Sequence, residues 1–260
     1  MIESAVTAAI PARLASHRFP NKALADLNGH PMIWHVWDRV RRAERVSEVV
    51  VVTDSDEISR VVVGWGGKVL MTDTSPRSGT ERIASVMGVL QGELILNVQV
   101  DEPLIEPLVI DQLIASWALD PTDVITPVFR ITDRLILEDP NIVKVVCDER
   151  GDALDFSRTA ILNAKDGNET GRLDEHEFWG HVGVYGYSRR ALAAYPNLKP
   201  TPLEVAQGLE QLCFLGHGYR IRTMKTAYRP ISVNCPADLE LVRQRLWVEG
   251  SQRVAAKHGG

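Results

Sequence analysis

Short apolar runs and amphipathic stretches alternate through the first half of the chain. Runs rich in Val, Ile and Leu predict buried strands, and apolar residues at three- and four-residue intervals predict the helices between them. The predicted strands cover 6–10, 48–53, 68–71, 94–98 and 124–129, and the intervening helices include Met32, Ile58, Ile83 and Pro107. This alternation predicts an α/β fold with a doubly wound, mostly parallel sheet, whose ligands bind beyond the carboxyl ends of the strands.

The alternation loosens after about Asp133. Apolar runs there predict strands over 142–147, 153–157, 180–187 and 219–226 and helices over 202–215 and 236–249. The polar stretch 164–177 is predicted to be a mobile loop, and the tail 252–260 is predicted to fray. We therefore expect four regions: an α/β core over 1–130, a smaller α+β subdomain over 131–235, a C-terminal helix over 236–250 that packs back on the core, and a tail over 251–260.

Composition narrows the range of partners. The net charge of −5 over 260 residues gives no basic footprint for nucleic acid, and no apolar run reaches the roughly 18 residues that span a bilayer. The N-terminus lacks the basic segment of a signal peptide. Cys147, Cys213 and Cys235 are few and widely spaced, which is typical of free thiols in a reducing compartment. We expect a cytoplasmic globular protein with neither nucleic acid nor membrane as a partner.

A basic loop follows the first predicted strand. Arg13, Arg18 and Lys22 lie within ten residues after the strand, in a segment rich in turn formers. Placed at the carboxyl end of a central strand, these cations would suit a polyanion such as a triphosphate. Charge alone is equally compatible with a solvated basic loop, so both interpretations stay open here.

Several other residues could carry chemistry. Asp101 follows the predicted strand 94–98 and is either a ligand for a divalent ion or a turn cap, whereas Glu102 next to it points elsewhere and is expected to be structural. Ser78 or Thr80 caps a helix predicted to start near residue 80, and these hydroxyls could also line a base-binding pocket. His181 could be a core histidine, and the 210–211 pair could face solvent. The chain has neither a Gly-x-Gly-x-x-Gly nor a Walker A sequence, which disfavours dinucleotide oxidoreductases and P-loop enzymes.

Taken together, these segments resemble the CMP-Kdo synthetases (3-deoxy-manno-octulosonate cytidylyltransferases). The resemblance extends from Ile10 to about Arg243. The matching motifs occur in the family's order, at 10–22, 31–33, 53–54, 71–72, 78–82, 97–103, 156–158, 181–187 and 209–212. It implies a nucleotide-diphospho-sugar transferase type of fold, a homodimer formed by the second half, and transfer of CMP from CTP to a small acidic acceptor with release of pyrophosphate.

The resemblance also assigns roles to residues. Arg13, Lys22 and Asp101 would be catalytic, and Asp101 and Asn234 would hold Mg²⁺. The nucleotide would contact Ala12, Arg13, Lys22, Ser78, Gly79, Arg82 and Gln99. The acceptor would contact Gln99, Arg158, His181, Glu210 and Gln211.

The chain departs from the family pattern near the metal and the acceptor. Val100 and Asn21 stand where the family has glycines, and Asn234 replaces a metal-binding Asp, which removes a charge from that site. The segment 153–162 lacks the family's usual Tyr and prolines. These changes leave the acceptor open between Kdo, a related sugar acid and a compact anion such as a phosphonate. A nucleotide-binding protein with an impaired metal site is the alternative, and a glycosyltransferase is disfavoured because no Asp-x-Asp lies near Asp101.

Overall fold

The protein is described by a computed structural model that covers residues 5–15, 19–73, 76–160 and 177–258, with side chains described as far as 249. The predicted mobile loop 164–177 therefore lies outside the described residues except for Glu177. The described strands are β1 (Val6–Ala12), β2 (Asp26–Leu27), β3 (His30–Pro31), β4 (Glu48–Thr53), β5 (Lys68–Met71), β6 (Leu94–Val98), β7 (Val124–Ile131), β8 (Lys144–Cys147), β9 (Ala153–Ser157), β10 (Phe178–His181), β11 (Val184–Ser188) and β12 (Ile221–Thr226). The described α-helices are α1 (Met32–Val40), α2 (Asp56–Gly64), α3 (Gly79–Ser85), α4 (Pro107–Leu119), α5 (Arg134–Glu138), α6 (Arg189–Ala194), α7 (Pro202–Gln207), α8 (Gln211–Gly216) and α9 (Pro236–His258).

One large sheet organises the chain, in the order β5-β4-β1-β6-β11-β7-β10-β8-β9, with β12 also paired to β7. The four strands from β5 to β6 are parallel, as are β7 and β12. Antiparallel β11 lies between β6 and β7 and joins the two parallel groups. The predicted α/β class is confirmed, and the carboxyl ends of β1, β4 and β6 meet at one edge of the sheet.

Alternating side chains of the central strands build a core on each face of the sheet. On β1, Ala8 and Ile10 pack into one core together with α1, α2 and α4, whereas Ala9 packs into the other core with α3, α6 and α8. In the same way, Leu96 of β6 packs into the first core and Ile95 packs into the second. Because strands buried on both faces read as continuous apolar runs, this arrangement explains why the sequence predicted them correctly.

Two predicted elements are wrong because each contains a local break. The predicted helix 202–215 is divided into α7 and α8 by Gly208, whose φ of 62° ends α7 in the left-handed conformation. The predicted strand 180–187 is divided into β10 and β11 at Val182 and Gly183, where the chain passes from pairing with β8 to pairing with β6. Both breaks lie beside the site described below.

Helix α9 continues to His258, so the predicted fraying of 252–260 is wrong as far as that residue, and 259–260 lie outside the described residues. Leu239 and Val242 of α9 pack against Leu27 and Met32 of the first half. The division into a core over 1–130 and a subdomain over 131–235 stays a prediction, and the sheet itself continues across that boundary.

Candidate active site

A cavity of about 300 Å³ opens at the carboxyl ends of β1 and β6. All of the residues assigned to the nucleotide by sequence lie in its wall. They are Ala12, Arg13, Lys22, Ser78, Gly79, Arg82 and Gln99. Pro11 and Val100 also border this cavity, so Val100, which departs from the family pattern, lines the side of the site assigned to the nucleotide.

The basic loop leaves β1 at Ala12 and is closed by a hydrogen bond from the Asn21 amide to the Leu14 carbonyl, 3.0 Å. Asn21 has φ 57° and ψ 22°, the left-handed conformation that glycine adopts most easily and that Asn tolerates better than most residues. A single 3₁₀ turn, 22–24, follows and directs Lys22 into the cavity. Arg13 is exposed at the rim, and Arg18 lies outside the described residues.

Lys22 and Asp101 form an ion pair. The Lys22 ammonium lies 2.7 Å from Asp101 Oδ2, and it also donates to the Val233 carbonyl at 3.1 Å. The Lys22 side chain is 12% exposed and the Asp101 side chain 28%. The cation predicted to hold phosphate and the carboxylate predicted to hold metal thus neutralise each other in this state of the protein.

The turn at 78–80 forms another wall of the first cavity. The Ser78 hydroxyl accepts from the Glu81 amide at 3.2 Å, which caps α3, and donates to the Tyr195 hydroxyl at 3.3 Å. A Cβ on Gly79 would lie 3.0 Å from Pro11 Cγ and 3.4 Å from Gln99 Nε2. Any larger residue here would crowd Pro11 and Gln99 where this turn approaches β1 and the end of β6.

A series of hydrogen-bonded polar side chains, absent from the sequence-based predictions, holds Gln99 in place. Its amide donates to Asn97 Oδ1 at 3.0 Å, and Asn97 in turn donates to the Thr80 hydroxyl at 3.2 Å. The Thr80 hydroxyl also bonds the Tyr187 hydroxyl at 3.0 Å. An Asn inside an otherwise apolar predicted strand was the available signal, because a buried amide needs partners.

Arg82 contributes to the nucleotide-side wall from a buried position. Its guanidinium donates to the Thr72 hydroxyl and, at 3.3 Å, to Asp54 Oδ2. The side chain is 4% exposed. Arg82 therefore ties α3 to the ends of β4 and β5, and its charge is already paired with Asp54.

A second cavity, of about 360 Å³, adjoins the first. All of the residues assigned to the acceptor lie in its wall, together with both residues assigned to the metal. They are Gln99, Arg158, His181, Glu210, Gln211, Asp101 and Asn234. The two cavities share a wall formed by Arg13, Ser78, Gly79, Gln99 and Asp101.

His181 ends β10 at the floor of the second cavity. Its Nε2 lies 2.8 Å from the Thr126 hydroxyl, which donates its own proton to the Val184 carbonyl at 2.7 Å. Because that hydroxyl has one proton, His181 Nε2 must carry a proton and Nδ1 must be the acceptor. Burial lowers the pKa of His181 to about 3, so the ring is neutral at physiological pH.

Glu210 precedes α8 and Gln211 begins it, and both line the second cavity, whereas the simplest interpretation of the sequence expected them to face solvent. Gln211 is buried, 3% exposed. The Glu210 carboxylate accepts from the Thr80 amide at 3.3 Å, and burial raises its pKa above the ordinary value. Glu210 therefore connects the acceptor side of the site to the 78–80 turn on the nucleotide side.

Hydrogen bonds that involve backbone carbonyl groups hold Arg158 in place. Its Nε donates to the Gln207 carbonyl at 3.0 Å, and its own carbonyl accepts from the Lys144 ammonium at 2.9 Å. Lys144 is 3% exposed and also donates to the carbonyls of Asp139 and Ile142, at 2.6 and 2.8 Å. Burial lowers the pKa of Lys144, and no acidic side chain is needed to hold it because three carbonyls receive its protons.

Asp101 and Asn234 are the residues that could hold a metal ion. The Val233 amide donates to the Asp101 carbonyl at 2.9 Å, which brings the segment before α9 against the end of β6. Among the described residues, no three His, Cys, Asp or Glu side chains form a cluster able to hold a metal by themselves. One carboxylate and one amide oxygen beside a site for phosphates match the donor set of Mg²⁺, which keeps several waters and completes its shell with substrate oxygens.

Glu102 is buried behind Asp101. Its carboxyl accepts a hydrogen bond from the Ser232 hydroxyl and lies against the Gly183 backbone. Burial, reinforced by the neighbouring Asp101 charge, raises the pKa of Glu102 to about 8. Glu102 is 2% exposed and, like Asp101, borders the second cavity.

Comparison with known proteins gives concordant matches. The profile of a family described as cytidylyltransferase matches residues 7–221. A 3-deoxy-manno-octulosonate cytidylyltransferase of Geobacter metallireducens is 44% identical over 250 residues, which cover 93% of this chain and 97% of that protein. An 8-amino-3,8-dideoxy-manno-octulosonate cytidylyltransferase of Shewanella sediminis is 39% identical, with coverage of 94% and 99%.

The same relationship is visible in three dimensions. A solved structure of CMP:2-keto-3-deoxy-manno-octonic acid synthetase complexed with CTP superposes with a TM-score of 0.87 at 37% identity, covering 95% of this chain and all of that chain. In the part of the chain that the structure describes, no helix is long and apolar enough to cross a bilayer.

Proposed function

Because the chain belongs to the cytidylyltransferase family and is a nucleotidyltransferase, we propose that it transfers CMP from CTP to 3-deoxy-manno-octulosonate (Kdo) with release of pyrophosphate. The family resemblance drawn from the motifs is confirmed by the matches. The observation that best supports the proposed reaction is the wall shared by the two cavities. A nucleotide in the first cavity and an acceptor in the second would meet at Asp101 and Gln99.

The reaction requires positioning and charge neutralisation rather than a covalent intermediate. An acceptor oxygen would bond to the α-phosphorus of CTP as the bond to the pyrophosphate oxygen breaks, in an in-line displacement. Arg13 at the rim and Lys22 inside the cavity would bind the triphosphate oxygens. Lys22 must first exchange Asp101 for phosphate, and this exchange would free the Asp101 carboxylate as the nucleotide enters.

The residues at the end of β6 and before α9 fit Mg²⁺, and we include this ion in the proposal. Asp101 and Asn234 would hold it, and the ion would neutralise phosphate charge at the reacting centre. Asn234 supplies an oxygen without charge, so Asn234→Asp should tighten metal binding several-fold. Titration with Mn²⁺ in the presence of a non-hydrolysable CTP analogue measures this, with the exposed Asn197→Asp as the matched control. Equal or weaker affinity in Asn234→Asp would remove Asn234 from the metal site.

Pyrophosphate release tests the reaction. We expect release from CTP and Mg²⁺ with Kdo as acceptor, and the 8-amino derivative of Kdo and a panel of phosphonates determine how narrow the acceptor range is. Asp101→Ala should lose activity by a factor of at least 10³ and keep its fold, while Glu57→Gln on the exposed start of α2 should behave as wild type. Binding of CTP with no pyrophosphate release from any acceptor would contradict the enzymatic proposal.

We also propose that the protein is a cytoplasmic homodimer whose interface lies in the second half. Free Cys147, Cys213 and Cys235 support a reducing compartment. Leu203 and Val205 of α7 are 60% and 72% exposed, which supports a contact surface there. Light scattering should give twice the chain mass. The double variant Leu203→Glu/Val205→Glu should give the monomer mass, while Leu119→Glu on α4, 89% exposed, should stay dimeric.

A further inference from the structure

Glu102 is a buried carboxylic acid that the reaction described above does not use. It closes the turn that carries Asp101, because its amide donates to the Gln99 carbonyl at 3.2 Å. Its side chain is 2% exposed at the wall of the second cavity, and its Oε1 accepts a hydrogen bond from the Ser232 hydroxyl. The other oxygen, Oε2, is buried and receives none from the described residues. An apolar side chain would fill this space without burying an unpaired oxygen.

This hydrogen bond comes from the segment that connects β12 to α9. The Ser232 hydroxyl donates to the Glu102 carboxyl, and the next residue, Val233, donates its amide to the Asp101 carbonyl at 2.9 Å. Asn234 follows directly. Two successive residues are therefore fastened to the turn that carries Asp101, and the amide proposed as a metal ligand lies immediately after them.

A second contact comes from the break between β10 and β11. Gly183 packs against the Glu102 carboxyl, and the Gly183 carbonyl accepts from the Gln99 amide at 3.2 Å. A Cβ on Gly183 would lie 2.9 Å from Glu102 Oε1, so a larger residue could not pack here unless Glu102 shifted. His181 lies two residues before Gly183, at the end of β10.

We propose that Glu102 is a positioning residue that fastens the segment bearing Asn234 and the β10–β11 break bearing His181 to the turn bearing Asp101. It borders the second cavity but is only 2% exposed, and it acts through Ser232 and Gly183. The inference rests on the proposed function, because it assigns to Glu102 the relative placement of the metal-binding and acceptor-binding residues.

Three variants test the proposal. Glu102→Ala removes the hydrogen bond with Ser232 and the contact with Gly183. Ser232→Ala removes only the hydrogen bond, and Glu102→Gln keeps both an accepting oxygen and the side-chain shape. Asp38→Ala is the matched control, since Asp38 is a buried carboxylate on α1 that binds Arg41 and Arg42. Each purified variant is titrated with Mn²⁺ in the presence of a non-hydrolysable CTP analogue, with the analogue alone, and with urea.

We expect Glu102→Ala to weaken Mn²⁺ binding at least tenfold and Ser232→Ala to weaken it three- to tenfold, with the affinity for the analogue alone changed less than twofold. Glu102→Gln should stay within threefold of wild type. Asp38→Ala should lose stability to urea with unchanged Mn²⁺ affinity. If Glu102→Ala does not fold, Ser232→Ala, which removes only a hydroxyl, decides the question.

Unchanged Mn²⁺ affinity in Ser232→Ala and in folded Glu102→Ala would overturn the positioning role. A folded Glu102→Gln variant as impaired as Glu102→Ala would also overturn it, because charge rather than hydrogen bonding would then be the property required. Failure of the proposed function gives a different result: the wild-type protein would then release no pyrophosphate from CTP with any acceptor.

Discussion

Asn21 holds the backbone conformation that leads into the turn bearing Lys22. Only Asn21 and Asn28 combine a side chain with a positive φ among the described residues, at 57° and 53°. Asn adopts this conformation more readily than other non-glycine residues. Asn21 is therefore compatible with the turn that delivers Lys22 into the cavity.

Replacing Asn21 should separate the effect of backbone strain from that of side-chain chemistry. We expect Asn21→Ala to lose about 1 kcal/mol of stability and to raise the KM for CTP, whereas Asn21→Gly should stay within about 0.5 kcal/mol of wild type. Urea unfolding and initial-rate kinetics measure the two quantities. Asn28→Ala is the control and should lose stability with an unchanged KM. An unchanged KM in Asn21→Ala would show that Lys22 is placed by other contacts.

His181 makes a specific contribution to acid sensitivity. The unfolded chain binds a proton at this histidine near pH 6.5, whereas the folded protein does so only near pH 3. The unfolded state therefore binds more protons between these values, and stability falls as the pH drops below about 6.5. Wild type should lose roughly 1 kcal/mol more than His181→Gln between pH 7.5 and 5.5, as measured by urea unfolding at both pH values. Parallel pH dependence of the two proteins would mean that the folded ring is protonated near its ordinary pKa.

Lys144 joins two segments of the chain beside the cavity assigned to the acceptor. Its ammonium is the shared donor for the carbonyls of Asp139, Ile142 and Arg158 and thereby joins the loop before β8 to the end of β9. A methionine has similar length but cannot donate. The three carbonyls would then lose a donor in a buried place.

We expect Lys144→Met to lose roughly 3 kcal/mol of stability and to raise the KM for the acceptor with little change in the KM for CTP. The control is Lys225→Met, because the Lys225 ammonium lies over the Trp179 ring on the exposed side of β12 and serves no loop near the site. Denaturation and steady-state kinetics with each substrate varied give both results. An equal rise in both KM values would contradict a local role for Lys144.

The first-half strands and helices could be predicted because strands with two buried faces are apolar throughout and the helices have clear periodicity. The division of the predicted helix 202–215 into two helices could not be predicted. Its apolar spacing continues across Gly208, and only the backbone conformation of Gly208 interrupts the helix. Within the site, charge and strand-end position indicated Lys22 and Asp101 separately. Their pairing depends on β1 lying beside β6, which no local pattern specifies.

At the scale of the whole molecule, the strand pairing of the sheet predicts that the protein unfolds cooperatively. β11 comes from the second half of the chain but pairs with β6 and β7 of the first half. Neither half can lose its structure without exposing the edges of the other. Urea unfolding followed by far-UV circular dichroism and by tryptophan fluorescence should give one coincident transition. Hydrogen exchange in β1 and in β8 should report the same global opening. Two separated transitions would show that 1–130 and 131–235 are independent units.

The position of β11 also affects how the protein folds during its synthesis. β7 ends at Ile131, and β11 is complete only at Ser188. At ribosomal rates of about 5–20 residues per second, this interval lasts roughly 3 to 11 s. Throughout it, the facing edges of β6 and β7 have no strand between them, and such edges pair readily with other chains. The emerging chain is therefore most exposed to aggregation, and most dependent on chaperones, just before the centre of its sheet closes.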